Sequence, residues 1–180
     1  MNKNAIRQHA PVDTLFGKGE RHAQRRWGRA ASRQPARLER LLLDHIPAEY
    51  HARIEAVPFF FLATSNSRGQ CDCSFKGGGP GLVRVLDART LAFPDFAGNG
   101  LFMSLGNILE NAHVGLLFID FADGARLRVN GRASVYDDGP PLELFPEATR
   151  VIVVEIEEVT PNCRAHVPRL RPVLESREES

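Results

Sequence analysis

The pattern of apolar and polar positions changes character near residue 58. Before it, apolar residues recur at helical spacing, so residues 37–46 and 48–56 are each predicted to form a helix, with Pro47 ending the first. After it, short β-prone runs alternate with turn residues. We therefore expect an N-terminal arm with helices that pack on a barrel over residues 1–56, and a β-rich domain with a C-terminal tail over residues 57–180.

The β-rich part contains about six predicted strands, most of them joined by tight turns. Residues 59–65 and 71–76 form the first hairpin, and residues 82–86 and 90–93 form the second. One short amphipathic helix is inserted between the fourth and fifth strands. Such an order predicts a mainly β fold, an antiparallel β-barrel with peripheral helices rather than a parallel sheet.

The corner over residues 93–111 joins a strand to this helix through a glycine-bearing loop. Ser104 is the predicted N-cap, and Leu109 belongs to the predicted buried face of the helix. Gly98 and Gly100 let the backbone turn and approach a ligand closely. Because the first N–H groups of a helix attract anions, the corner is a candidate phosphate site. The alternative is a plain structural loop before a capped helix.

The strand over residues 71–76 has two chemically different sides. One side is polar and is a candidate ligand surface, while the other is apolar and carries two thiols that we expect to be buried. The polar side consists of Asp72, Ser74 and Lys76, and the apolar side of Cys71, Cys73 and Phe75. Cys71 and Cys73 are residue types that bind metals, but no second pair follows at zinc spacing, so no metal is expected.

Arginines mark two further segments. The strand over residues 126–133 carries Arg126, Arg128 and Arg132 on one side, where they would suit a phosphate or an electron-rich carbonyl. Residues 21–40 contain seven arginines, a stripe that could touch nucleic acid or form a solvated arm; we favour the arm.

Global composition excludes several classes of function. The net charge is +1, so nucleic acid is not an expected partner. No apolar run approaches the roughly 20 residues of a membrane span, and the N-terminus lacks a signal-peptide core. Three cysteines are too few for a disulfide framework. These observations predict a cytoplasmic protein.

Four segments over residues 61–136 resemble, in order and spacing, the pyridoxamine 5′-phosphate oxidase-like, FMN-binding proteins. They are FLATSNSRGQCDCSFKGG, LVRVLDARTLAFPDFAGNG, SLGNILENAHVGLLFID and RLRVNGRASVY. The tail PNCRAHVPR over residues 161–169 is similar to a segment found in a subgroup of the family.

The resemblance implies an FMN-binding split β-barrel, assembled as a homodimer with the cofactor at the subunit interface. No side chain is implied as catalytic. The positions that match the family's cofactor site are Ser74, Phe75, Lys76, Phe93, Pro94, Asp95, Asn99, Gly100, Ser104, Asn107 and Arg126.

One departure from the family affects the expected function. Pyridoxamine-phosphate oxidases place an Arg-Lys pair in the loop before the helix, and residues 98–104 here contain no basic residue. We therefore expect a flavin-dependent oxidoreductase that uses FMN, or as a second choice a deazaflavin, on a small substrate other than vitamin B6. The alternative is a non-catalytic flavin- or deazaflavin-binding or storage protein.

Overall fold

The computed structural model describes residues 16–28, 41–162 and 164–170. Contacts divide the chain into two units, Met1–Leu42 and Leu43–Ser180. In the first unit, helix α1 spans Lys18–Trp27 and has no buried residue. The N-terminus of α1 is capped by the carboxylate of Glu20, which accepts a hydrogen bond of 2.8 Å from the N–H of Gly17. Much of the predicted arginine stripe, from residue 29 to residue 40, lies outside the described residues.

The second unit holds the predicted strands and the inserted helix. No helix in the described ranges is long and apolar enough to cross a membrane. The elements follow one another as α2 Ala48–Ala56, β1 Phe59–Ser65, β2 Cys71–Gly77, β3 Arg84–Asp87, β4 Thr90–Asp95, α3 Met103–Glu110, β5 His113–Ile119, β6 Arg126–Tyr136, a 3₁₀-helix Pro140–Leu144 and β7 Arg150–Asn162.

The helix predicted over residues 37–46 ends earlier than expected, because residue 41 is helical and residues 42–46 are not. Its first residues lie outside the described ranges, but Leu43 is paired with Val159 of β7 in an isolated antiparallel bridge. The N–H of Leu43 donates to the carbonyl of Val159 at 2.9 Å, and the reciprocal bond is 2.7 Å. Tertiary backbone pairing therefore replaces the helical bonds that the local pattern favoured.

All seven strands form one antiparallel sheet in the order β2-β1-β5-β6-β7-β4-β3. Strands β1 and β4 are far apart in this order, yet the ring of Phe60 lies 5.1 Å from that of Phe93 and 5.5 Å from that of Phe118. The sheet must therefore curl until its inner faces meet. The mainly β, antiparallel barrel with one helix between its fourth and fifth strands is confirmed.

The inner faces of the strands supply the core. Burial alternates along β6, where Leu127, Val129, Gly131 and Ala133 point inward and the arginines point outward. Each fully buried large apolar side chain contributes about 1.5–3 kcal/mol through removal from water. The largest of them are Phe60, Leu62, Leu91, Phe93, Leu116, Ile152 and Ile156.

Gly131 marks a point where two backbones come too close for any side chain. The register between β6 and β7 shifts at Asn130 and Gly131, and a Cβ placed on Gly131 would lie 2.2 Å from the carbonyl oxygen of Glu155. Only glycine fits this bulge without displacing strand β7.

We predict that Gly131→Ala lowers the free energy of unfolding by about 1–3 kcal/mol, because the methyl group forces the two strands apart. Urea denaturation followed by circular dichroism measures the change. The matched control is Gly106→Ala in α3, where a Cβ would meet nothing within 4 Å. That variant should be more stable by about 0.5–1 kcal/mol, because alanine favours a helix. Equal midpoints for the two variants would contradict the prediction.

Candidate functional site

One cavity of about 390 Å³ lies where strand β2, the end of β4, the following loop and the start of α3 meet. We call it the β2–α3 cavity. Its lining combines polar and apolar side chains with the glycine-bearing loop that the sequence singled out. The lining residues are Asp72, Ser74, Phe75, Lys76, Asp95, Phe96, Gly98, Asn99, Gly100, Leu101, Phe102, Met103, Ser104 and Leu105.

Strand β2 contributes its polar side to the cavity. Asp72, Ser74 and Lys76 are half-buried and line it, as the alternating pattern predicted. The expectation of buried thiols is wrong, because Cys71 and Cys73 are exposed. The reason is the position of β2 at one end of the sheet order, where its apolar side faces out of the barrel instead of into the core.

The helix start differs from the prediction that Ser104 is the N-cap. Helix α3 begins at Met103, after Phe102 in a left-handed conformation with a φ of 49°, and no side chain caps it. Ser104 lies in the first turn, 8% exposed, and its hydroxyl is 3.0 Å from that of Ser74. The first-turn residues line the cavity, so the uncapped end of the helix borders it.

Polar side chains fix α3 on the β1–β2 hairpin. The Nδ2 group of Asn107 donates to the hydroxyl of Thr64 at 3.0 Å, and that of Asn111 donates to Ser65 at 2.8 Å. The backbone N–H and hydroxyl of Ser67 both donate to the carboxylate of Glu110 and hold the pKa of Glu110 below its usual value. Asn107 therefore positions the helix, and it is absent from the cavity lining.

Leu109 does not belong to the buried face of α3. Its side chain is 78% exposed, whereas Leu105 and Ile108 are buried in the core. The predicted face was too wide by one residue because only one side of this short helix meets the sheet.

Three charged side chains line the β2–α3 cavity: the ammonium group of Lys76 and the carboxylates of Asp72 and Asp95. Arg150 lies behind Asp95, with Nη1 3.4 Å from the Asp95 carboxylate. The guanidinium of Arg150 also stands 5.1 Å above the ring of Phe102. Arg150 is thus engaged by two residues of the lining and is not itself part of it.

The structure brings together Ser74, Phe75, Lys76, Asp95, Asn99, Gly100 and Ser104, seven of the predicted cofactor-binding residues, in this cavity. Phe93 and Pro94 are buried instead, Phe93 in the barrel core. Both faces of strand β4 are covered, one by the barrel core and the other by a second cluster of Ala92, Phe145 and Val151. Only its last residue, Asp95, reaches the cavity.

Arg126 lies in a different, small cavity under helix α2, lined also by Tyr50, Ile54 and Phe118. Its guanidinium donates to the carbonyl of Ala165 in the C-terminal tail at 3.4 Å. Within one chain, Arg126 therefore does not reach the β2–α3 cavity, and its described contact is with the tail.

Other lining residues were not among the predicted set. Asp72 shares the alternation that identified Ser74 and Lys76, so the pattern contained the signal. Leu101, Phe102 and Met103 belong to the same loop and helix start, but as apolar residues they carried no chemical signal for a phosphate site. The sequence did not indicate that these three side chains are exposed, and the structure shows that they are.

Asp123, in the turn between β5 and β6, connects helix α2 with the C-terminal tail. Its carboxylate lies 2.8 Å from Nη1 of Arg53 and 3.3 Å from Nη2 of Arg164. The hydrogen bond from Arg53, followed by that from the N–H of Ala125, lowers the pKa of Asp123. His166, in the tail segment PNCRAHVPR, is exposed and has a φ of 63°.

Comparison with known proteins identifies the family. Residues 46–163 match the family model described as pyridoxamine 5′-phosphate oxidase, and the chain belongs to this family. No curated protein matches the sequence.

Solved structures share the split-barrel fold. The HupZ protein of Group A Streptococcus has a TM-score of 0.54 at 17% identity, covering 64% of this chain and 94% of HupZ. A candidate pyridoxamine 5′-phosphate oxidase from Lactobacillus delbrueckii has a TM-score of 0.51 at 24% identity, covering 65% and 94%. A conserved hypothetical protein of Mycobacterium tuberculosis has a TM-score of 0.50 at 13% identity, covering 76% and 97%. At these identities the similarity establishes the fold.

We predict that Asp123→Asn lowers the urea midpoint at pH 7, because it removes the acceptor of Arg53 and Arg164. The folded-state pKa of Asp123 is lowered, so its stabilisation is present above the unfolded pKa and is lost as the pH falls through the folded one. The difference from the parent protein should therefore shrink below about pH 4. Asp137→Asn, at an exposed position beyond β6, is the control. Its urea midpoint should equal that of the parent protein both at pH 7 and at the acidic pH. A pH-independent difference would contradict this account.

Proposed function

We propose that this protein binds a flavin, with FMN as the expected form and a deazaflavin as the second choice, in the β2–α3 cavity. The observation that carries the proposal is the convergence of seven family-matched positions on one cavity of about 390 Å³. That volume lies within the range of about 300–1,000 Å³ typical of cofactor sites. Membership of the pyridoxamine 5′-phosphate oxidase family supports the same assignment.

The chemistry of the lining fits a flavin. Phe75, 61% exposed, offers an aromatic surface on which a flat ring can pack. The paired hydroxyls of Ser74 and Ser104, together with Lys76, are suited to the ribityl chain and the polar edge of the ring. The uncapped N-terminus of α3 offers backbone N–H groups to the phosphate end.

A bound flavin would supply hydride or electron transfer, and the chain would bind and orient it. We accordingly propose an oxidoreductase that acts on a small substrate at the open side of the ring. Vitamin B6 oxidation is not part of the proposal, because the loop before α3 lacks the basic pair noted above.

The test is titration of the purified protein with FMN while flavin fluorescence is recorded. Saturable quenching is the expected result, and its absence would contradict flavin binding. Anaerobic addition of NADH or NADPH to the loaded protein then follows the absorbance of oxidised flavin. Bleaching, with recovery in the presence of an electron acceptor, supports an oxidoreductase. A bound flavin that stays oxidised would instead identify a binding or storage protein.

We predict that Lys76→Ala weakens FMN binding by about tenfold or more, the value of one charge-assisted hydrogen bond. Lys76 is the lysine whose side chain borders the β2–α3 cavity. Arg68→Ala, in the exposed β1–β2 turn, removes a positive charge outside the cavity and should leave the affinity unchanged. Fluorescence titration of both variants measures the difference. Equal affinities would move the anion contact to the helix start or to an arginine.

We also propose a homodimer with the cavity at the subunit interface. The outer side of β1 and β2 forms an aromatic face in which the rings of Phe59 and Phe75 stack at 5.1 Å, and those of Phe61 and Phe75 meet edge to face at 6.0 Å. Beside these rings lie Ala63, Cys71 and Cys73, all exposed. An apolar surface of this kind on a sheet favours a partner, and Phe75 belongs both to it and to the cavity.

Charges on the same sheet, separated from the aromatic face by strand β5, favour a second copy of the same chain as the partner. Arg128 and Arg132 are exposed on β6, and Glu155 and Glu157 are exposed on the neighbouring β7. A two-fold axis can place the basic row of one chain opposite the acidic row of the other, so the surface is self-complementary.

We predict that Ala63→Arg converts the protein from a dimer to a monomer, because it puts a charge in the middle of the aromatic face. Light scattering coupled to size exclusion should give the mass of two 20.0 kDa chains for the parent protein and of one for the variant. Ala88→Arg, in the exposed β3–β4 turn, is the control and should remain dimeric. Cys71 and Cys73 should react faster with a thiol reagent in the variant. A monomeric parent would refute the dimer.

A further inference from the structure

The β2–α3 cavity is poor in positive charge at the end where a phosphate would lie. Among the described residues that line it, Lys76 is the only cation, and the carboxylates of Asp72 and Asp95 face the same space. Arg150 is held by Asp95 at 3.4 Å and by the ring of Phe102, so one guanidinium offsets one carboxylate. The lining therefore offers a phosphate dianion no excess of positive charge.

Apolar side chains occupy the rim at the helix start. Leu101 is 67% exposed, and Phe102 and Met103 are also exposed. The side-chain oxygen of Asn99 accepts a hydrogen bond of 3.0 Å from the N–H of Leu101, which fixes this turn of the loop. The remaining donors are neutral: the N–H groups of the first helical turn and the hydroxyls of Ser74 and Ser104. Neutral donors can hold a phosphate, but without a lysine or arginine beside them they favour it over a hydroxyl group less than a basic pair would.

We infer that the cavity recognises the ring and ribityl chain of a flavin and gains little from the phosphate, so that riboflavin and FMN bind with similar affinity. This inference rests on the proposed flavin binding and specifies which part of the ligand the chain recognises. The attraction of Lys76 and of the helix start for the phosphate is opposed by the carboxylates of Asp72 and Asp95, so the net gain from the phosphate is small.

The experiment compares riboflavin and FMN in parallel fluorescence titrations at pH 8, where the phosphate is doubly ionised because its second pKa is about 6. Dissociation constants within about tenfold of each other support the inference. FMN binding more than about tenfold tighter overturns it while leaving flavin binding intact. If neither flavin quenches, the proposed function fails and the inference fails with it.

A gain of charge tests the same point independently. Leu101→Arg adds a guanidinium at the exposed rim and should tighten FMN by about tenfold, the value of one charge-assisted hydrogen bond, while leaving riboflavin unchanged. The control Leu109→Arg adds the same charge on the exposed side of α3, outside the cavity lining, and should alter neither ligand. An FMN preference that does not respond to Leu101→Arg would show that the phosphate lies elsewhere and would overturn the inference.

Discussion

The site depends on one constraint, the hydrogen bonding that holds α3 against the first hairpin. Strand β2 ends the sheet order and has β1 as its single strand neighbour, so part of its inner side is left without a covering strand. Helix α3 covers that gap through the bonds from Asn107 to Thr64 and from Ser67 to Glu110. The space between strand and helix start becomes the β2–α3 cavity. Without this attachment the polar side of β2 would be an ordinary solvated edge.

The same edge position explains why β2 has two functional sides. Its inner side presents Ser74 and Lys76 to the cavity, and its outer side presents Phe75 with the two exposed cysteines. A strand that is paired on both edges, such as β4, has its inner side chains buried in the core and contributes only its last residue to the cavity. A cavity and an adjoining apolar surface on one strand suit a cofactor placed between two subunits.

The correspondence between local pattern and structure was closest where the pattern repeats over a whole element. A β-prone apolar run predicted β1, alternation predicted the two sides of β2, and helical spacing predicted α2, with limits that agree with the structure to within one residue. The failures lie at Leu43, Ser104 and Cys71, where a partner distant in the sequence decides the outcome. Leu43 pairs with Val159, Ser104 meets Ser74, and Cys71 lies on a strand whose outer side is exposed among the described residues.

The sequence by itself determined the succession of strands along the chain, the inserted helix and the resemblance to the pyridoxamine 5′-phosphate oxidase family, because these follow from periodicities and motifs within short windows. Only the tertiary structure decided which candidates share a cavity. Asp95 lines the same cavity as Lys76 and Ser104, whereas Arg126 contacts the C-terminal tail. Leu101 is exposed at the rim of the cavity. These placements depend on how the sheet curls and where the helix docks, and both are set by contacts between residues far apart in the chain.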